Sequence, residues 1–134
     1  MTSPAELAAQ HTLRTAVVRY DDLRARDSLA DPTQADSVLA EQLSQAEALE
    51  LLALSQVITR KAGYGQQLAV RSAREAGASW AAIGRALDIS KQAAWEAHTR
   101  WIEEQAALHH ATGYRGLDEV SVARAKRLAG PAES

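Results

Sequence analysis

Gly77-Ala78-Ser79-Trp80-Ala81-Ala82-Ile83-Gly84-Arg85-Ala86-Leu87-Asp88-Ile89-Ser90-Lys91-Gln92-Ala93-Ala94-Trp95-Glu96 reads as two short helices joined by a tight turn. Ser79 is placed to cap the first, its hydroxyl accepting from an orphan amide of the opening turn. Trp80, Ile83, Gly84 and Leu87 recur at the three- and four-residue intervals of one buried helical face. Asp88 is short and polar, a type that tolerates the left-handed backbone needed to reverse the chain. Ile89 is expected to plug the corner, and Ser90 to cap a second helix opening with Lys91 and Gln92. A glycine inside a helix is costly unless a neighbour must come close, so Gly84 marks where the second helix crosses the first. An ordinary helical hairpin would satisfy the periodicity alone. Turn chemistry, caps and the small buried residue together favour a helix-turn-helix.

Outward from this stretch, the chain predicts more helix and no strand. Ser3-Pro4-Ala5-Glu6 joins an N-cap serine, a proline at the first helical position and a glutamate able to reach back. The helix it opens is expected to run to about Arg26, with Leu7, Leu13, Val17, Val18, Tyr20 and Leu23 on a broad apolar side. Asp31-Pro32-Thr33-Gln34 repeats the start signature. Leu39, Leu43, Ala46, Leu49, Leu52, Leu54, Val57 and Ile58 then sustain helical spacing to about Lys61. Gly63-Tyr64-Gly65 is expected to break or kink that helix. A third helix over about 66–76 turns Leu68, Ala69, Ala73 and Ala76 inward and ends at Gly77. The second motif helix continues to about His110 through Trp101, Ile102 and Leu108. A last amphipathic helix spans about 117–128, and residues 130–134 form a loose tail. The expectation is an all-α fold of five to six helices around a central helix-turn-helix. Residues 1–62 form an N-terminal helical dimerisation region, 63–112 the motif region, and 113–134 a C-terminal helix and tail.

The chain is 134 residues long and 46% hydrophobic, but that share is mainly Ala and Leu, without a single Phe. Such a composition favours helix and close, thin helix contacts. The core of one chain is therefore small, and some apolar surface is expected to be buried between chains, most simply in a homodimer. The absence of cysteine excludes disulfides and thiolate metal sites. No apolar run approaches membrane-spanning length, and Met-Thr-Ser-Pro-Ala-Glu has neither a charged n-region nor an apolar core. A cytoplasmic location without a membrane partner is the expectation. The net charge of −2 does not by itself suggest a nucleic-acid partner. Its distribution is more informative, because residues 1–60 are acidic while residues 60–100 set Arg60, Lys61, Arg71, Arg74, Arg85, Lys91 and Arg100 against Glu75, Asp88 and Glu96. The motif thus sits in the locally basic part, as phosphate contacts require, although a solvated helix face can carry the same bias.

Over residues 66–102 the sequence resembles the helix-turn-helix of small bacterial transcriptional regulators, particularly an Ala-rich type frequent in actinobacteria. The shared pattern is the Ser79-Trp80-Ala81 entry, the Ile83-Gly84 pair, the Leu87-Asp88-Ile89-Ser90 turn and the Lys91-Gln92-Ala93-Ala94 second helix. Two positions depart from it. Asp88 stands where Gly is usual, which strains the turn, and Ala82 stands where an acidic capping-box partner is common, a loss of about 0.5–1 kcal/mol at the helix end. The resemblance implies double-stranded DNA as partner, with a recognition helix over about 91–102.

Helix geometry nominates the reading residues. If Ala94 and Ala97 pack on the first motif helix, the opposite face presents Lys91, Gln92, Trp95, Glu96 and Thr99. Gln92 can bond bidentately to adenine and Lys91 can reach guanine, from the first turn where recognition helices meet base edges. Trp95 is either a half-buried anchor or a contact to thymine methyl or sugar. Glu96 repels phosphate unless it accepts from cytosine or pairs with Arg100. Ser79, Arg85, Ser90 and Arg100 are candidates for the phosphate backbone, while Arg71 and Arg74 are weaker candidates that a solvated face would equally explain.

Other constellations are thin. His98, His109 and His110 face different directions on one helix, with no carboxylate or Cys to complete a tetrahedral metal site. Asp21-Asp22 is an acidic pair on a solvated face, and Gly63-x-Gly65 follows no strand, so it is no phosphate loop. No catalytic residues, cofactor or enzymatic activity are expected. The sequence therefore favours a homodimeric, sequence-specific DNA-binding transcriptional regulator. The alternatives are a helical module that binds a protein partner without DNA affinity of its own, and a purely structural bundle. The acidic N-terminal helices suit self-association or a protein partner, and the motif region suits DNA.

Overall fold

A computed structural model describes residues 3–30 and 42–134, and among them every regular element is a helix. These are α1 (Pro4–Gln10), α2 (Leu13–Leu29), α3 (Gln45–Glu75), α4 (Trp80–Leu87), α5 (Lys91–Thr112) and α6 (Glu119–Ala129). No helix among the described residues is long and apolar enough to cross a membrane. The chain divides into two compact units, Met1–Tyr64 and Gly65–Ser134.

In the first unit, Ser3 and Glu6 form the expected reciprocal cap at the start of α1. The single helix expected to reach Arg26 is instead two. His11 is extended, and Thr12 opens α2 by exchanging bonds with Thr15, whose hydroxyl takes the place usually held by Glu or Gln. Leu7, Ala16 and Leu23 pack against Ala53, Leu54 and Val57 of α3, with Tyr20, Leu43, Leu51 and Ile58 beside them. Ala16 is fully buried, so the seam between the helices is thin. Arg19–Glu50 at 2.8 Å and Arg26–Glu47 at 2.5 Å tie α2 to α3 along its edge. Leu13 and Val18, expected on the apolar side, are exposed. Covering Ala16 and Leu23 leaves them on the outer arc of α2.

The Asp31-Pro32-Thr33-Gln34 start and Leu39 lie outside the described residues. α3 opens at Gln45, where Ser44 and Glu47 exchange cap bonds of 3.1 Å. Contrary to expectation, it passes through Gly63-Tyr64-Gly65 without a break, and the predicted third helix is its last turns. Two glycines cost a helix about 1 kcal/mol each, which the apolar turns on either side offset. Gly77 ends the helix with φ +92°, as anticipated.

The second unit gathers Val70, Trp80, Ile83, Ala94, Trp101, Ile102, Ala125 and Ala129 into one core. The expected loose tail is anchored there. Gly130 accepts from Trp95, Ser134 from Arg74, and Ala132 is buried. Polar side chains that would otherwise be stranded at the core edge find partners in the tail.

Candidate nucleic-acid interface

The α4–α5 corner follows from its sequence residue by residue. Ser79 Oγ accepts from Ala82 N–H at 3.1 Å, and Ser90 Oγ accepts from Ala93 N–H at 3.0 Å. Between them Asp88 adopts φ 57°, ψ 42°, the left-handed region. Ile89 N–H donates to Gly84 O at 2.9 Å and Asp88 N–H to Arg85 O at 3.3 Å, the two bonds of a Schellman turn. A Cβ on Gly84 would lie 2.7 Å from Ile89 O and 3.0 Å from Lys91 N, so only glycine lets α5 begin where it does. Ile89 departs from expectation. At 43% exposure it does not plug the corner, because the bare Gly84 lets the backbone itself fill that space.

Ala94, His98, Trp101, Ile102 and Gln105 are the buried side of α5. Gln92, Glu96, Arg100 and Glu103, spaced by three or four residues, are exposed on the other. Lys91 stands exposed at the helix start, with Ser90 before it and Arg85 exposed on α4. Arg85, Ser90, Lys91, Gln92, Glu96 and Arg100 are therefore all exposed on the last turn of α4, the corner and the first three turns of α5, while Ser79 is exposed at the far end of α4. Gln92 Nε2 donates to Glu96 Oε1 at 3.0 Å, so Glu96 pairs one turn back and not with Arg100. Further along, Glu103 is matched by Lys126 at 2.8 Å. Glu104 follows, so the surface without excess negative charge is confined to the first three turns.

Two nominated residues are otherwise engaged. Trp95 is half-buried and its Nε1 donates to Gly130 O at 2.8 Å, which makes it an anchor for the tail. Thr99 Oγ1 donates to Trp95 O at 2.9 Å, so its hydroxyl serves α5 itself. Arg74, a weaker candidate for phosphate, is also committed. It donates to Leu128 O and Ala129 O at 3.2 Å and to Ala78 O at 2.9 Å, with its guanidinium 5.1 Å from the Trp80 ring. Trp80 Nε1 adds a bond to Ala129 O at 2.8 Å. The C-terminal carbonyls of α6 thus receive a cation and two indoles, which complements the helix dipole. No sequence pattern announces this clamp, because its partners lie far apart in the chain.

His98 is 1% exposed and belongs to the core. It stacks on Trp101 at 5.4 Å between ring centroids, lies 5.7 Å from Trp80, and its Nδ1 meets Gln67 Oε1 at 2.9 Å. Burial pushes its pKa down to about 4, with the charges of Arg71 and Arg74 adding to the effect. It is held neutral inside the bundle. No family model, curated protein or solved structure matches the chain.

Proposed function

We propose that the protein is a sequence-specific DNA-binding transcriptional regulator acting as a homodimer, with the first turns of α5 in the major groove. The observation that carries the reading is the α4–α5 corner. Gly84, Asp88 and two serine caps set a short positioning helix against a longer one. Lys91 and Gln92 are thereby left exposed at the start of the second helix, where base edges are met. Lys91, Arg85 and Arg100 supply phosphate contacts around them. Ile89, exposed beside them, suits a thymine methyl.

Support for the homodimer comes from the first unit. Leu49 and Leu52, 54% and 66% exposed, stand three residues apart on α3, and Val18 and Leu29 are exposed on α2. Soluble monomers seldom leave such apolar surface uncovered, and a two-fold pairing buries equivalent side chains on both chains. The same surface is what favours the second reading, a module for a protein partner. Selection of random duplex DNA by the intact protein separates the two. Enrichment of paired half-sites about 34 Å apart, bound with steep salt dependence, is expected for the regulator. A pool that stays unenriched favours the protein-partner reading.

A further inference from the structure

A groove between the end of α3 and α6 plays no part in the DNA reading. It is open on one side and encloses about 730 Å³, within the range of small-molecule sites. Its floor is apolar, made by Ala125, which is buried, and by the partly buried Leu117 and Leu128. Three arginines, Arg71, Arg124 and Arg127, also line it, against one acidic residue, Glu75. None of these four makes an ion pair with a described residue. The walls are also held in place. Arg74, one turn along α3 from Arg71, bonds to Leu128 O and Ala129 O of α6, so the groove is formed before anything enters it.

We propose that this groove binds a small organic anion with an apolar body, an aromatic or short-chain carboxylate. The guanidinium groups take the carboxylate in the forked geometry that Arg favours. Leu117, Ala125 and Leu128 cover the hydrocarbon and remove it from water. Inorganic phosphate would leave the floor unfilled. A neutral hydrocarbon would leave the excess of three arginines over one glutamate around the cavity unrelieved. Only a ligand with both parts matches both parts of the groove.

Calorimetric titration of the intact protein with naphthoate tests this, beside naphthalenemethanol as the neutral counterpart and inorganic phosphate as the bare anion. Saturable one-site binding of naphthoate with Kd below ~1 mM is expected, with the other two much weaker. Replacing the exposed Arg124 and Arg127 together (Arg124→Gln, Arg127→Gln) should weaken naphthoate about tenfold or more while leaving the helical signal intact. Arg71→Gln should act in the same direction, and the α6 pair decides the matter if that variant folds poorly. Absence of saturation, equal binding of the alcohol or of phosphate, or indifference to the arginine substitutions would each overturn the proposal. So would a loss of DNA affinity in the α6 pair without any naphthoate binding, which would assign these arginines to the phosphate backbone. The titration contains no DNA, so its failure leaves the reading of α5 untouched.

Discussion

In Met1–Tyr64, α2 meets α3 along a seam of Ala16, Leu23, Ala53, Leu54 and Val57, edged by Arg19–Glu50 and Arg26–Glu47. In Gly65–Ser134 the centre is Trp80, His98 and Trp101, and the indoles of Trp80 and Trp95 with Arg74 close the end of α6. The first unit is thin, and its ion pairs lie at a partly exposed edge where such pairs contribute up to about 1 kcal/mol each. It leaves leucines uncovered. The second buries the large side chains of its core and satisfies polar groups at its edge, leaving Tyr114 and Val120 exposed away from the α4–α5 corner and, around that corner, Ile89 among mainly polar side chains that include Arg85, Lys91 and Arg100. The surplus of the first is suited to another apolar surface, and that of the second to an anion.

The strongest way to break this comparison is Trp80→Ala. Trp80 is 0% exposed and its loss removes both the core ring and the bond to Ala129, a cost of about 3–5 kcal/mol. Thermal unfolding followed by tryptophan fluorescence should show the second unit melting far earlier, while amides of α2 keep their exchange protection. Equal loss of protection in α2 would show that the units do not fail separately.

Acid separates the units by a different route. His98 titrates at 6.5 in the unfolded chain and at about 4 in the fold, so the unfolded chain binds the extra proton between these values. Stability of the second unit is therefore lost as pH falls from 6.5 towards 4, in total on the order of 3 kcal/mol. In the first unit the Arg26 hydrogen bond, then the Ser44 amide, hold Glu47 down to about 2. Its contribution is fully present above 4.5 and is lost progressively as pH falls from there towards about 2. Amide exchange measured against pH should find α5 opening before α2. The reverse order would contradict the neutral, buried His98.

Gly84→Val is expected to cost about 1–3 kcal/mol by overpacking against Ile89 O and Lys91 N. Chemical denaturation should shift the midpoint of the second unit alone, and an unchanged midpoint would misplace the helix crossing. The smallest effect has the opposite sign. A methyl group added at Gly63 or Gly65, both inside α3, would meet nothing within 4 Å. Gly63→Ala and Gly65→Ala should each stabilise by about 0.5–1 kcal/mol, seen as slower amide exchange over residues 60–68.

The parts of the fold legible in the sequence are those governed by neighbours in the chain. Ser79, Asp88 and Ser90 act within four residues of themselves, and Gly84 is read from the cost of a glycine in a helix. Legibility ends where partners lie far apart. The bonds of Trp95 to Gly130, of Trp80 to Ala129 and of Arg74 to Leu128 turn a loose tail into an anchored one. None of them leaves a local trace. At Gly63 and Gly65 the local cost is real, and the helix on either side overrules it. Of the candidate site, Lys91, Gln92, Glu96 and Arg100 are exposed, as helical periodicity expects. Trp95 and Thr99 share that side by periodicity but are taken up by partners that periodicity cannot show.

The most direct test is an anisotropy titration of the best duplex selected by the intact protein, comparing it with its Gln92→Ala and Lys91→Ala variants on that site and on single-base changes of it. If the start of α5 reads base edges, Gln92→Ala weakens binding by about 1–3 kcal/mol at the preferred site and relaxes discrimination at one base position. Binding that is indifferent to both substitutions on every sequence would contradict the account.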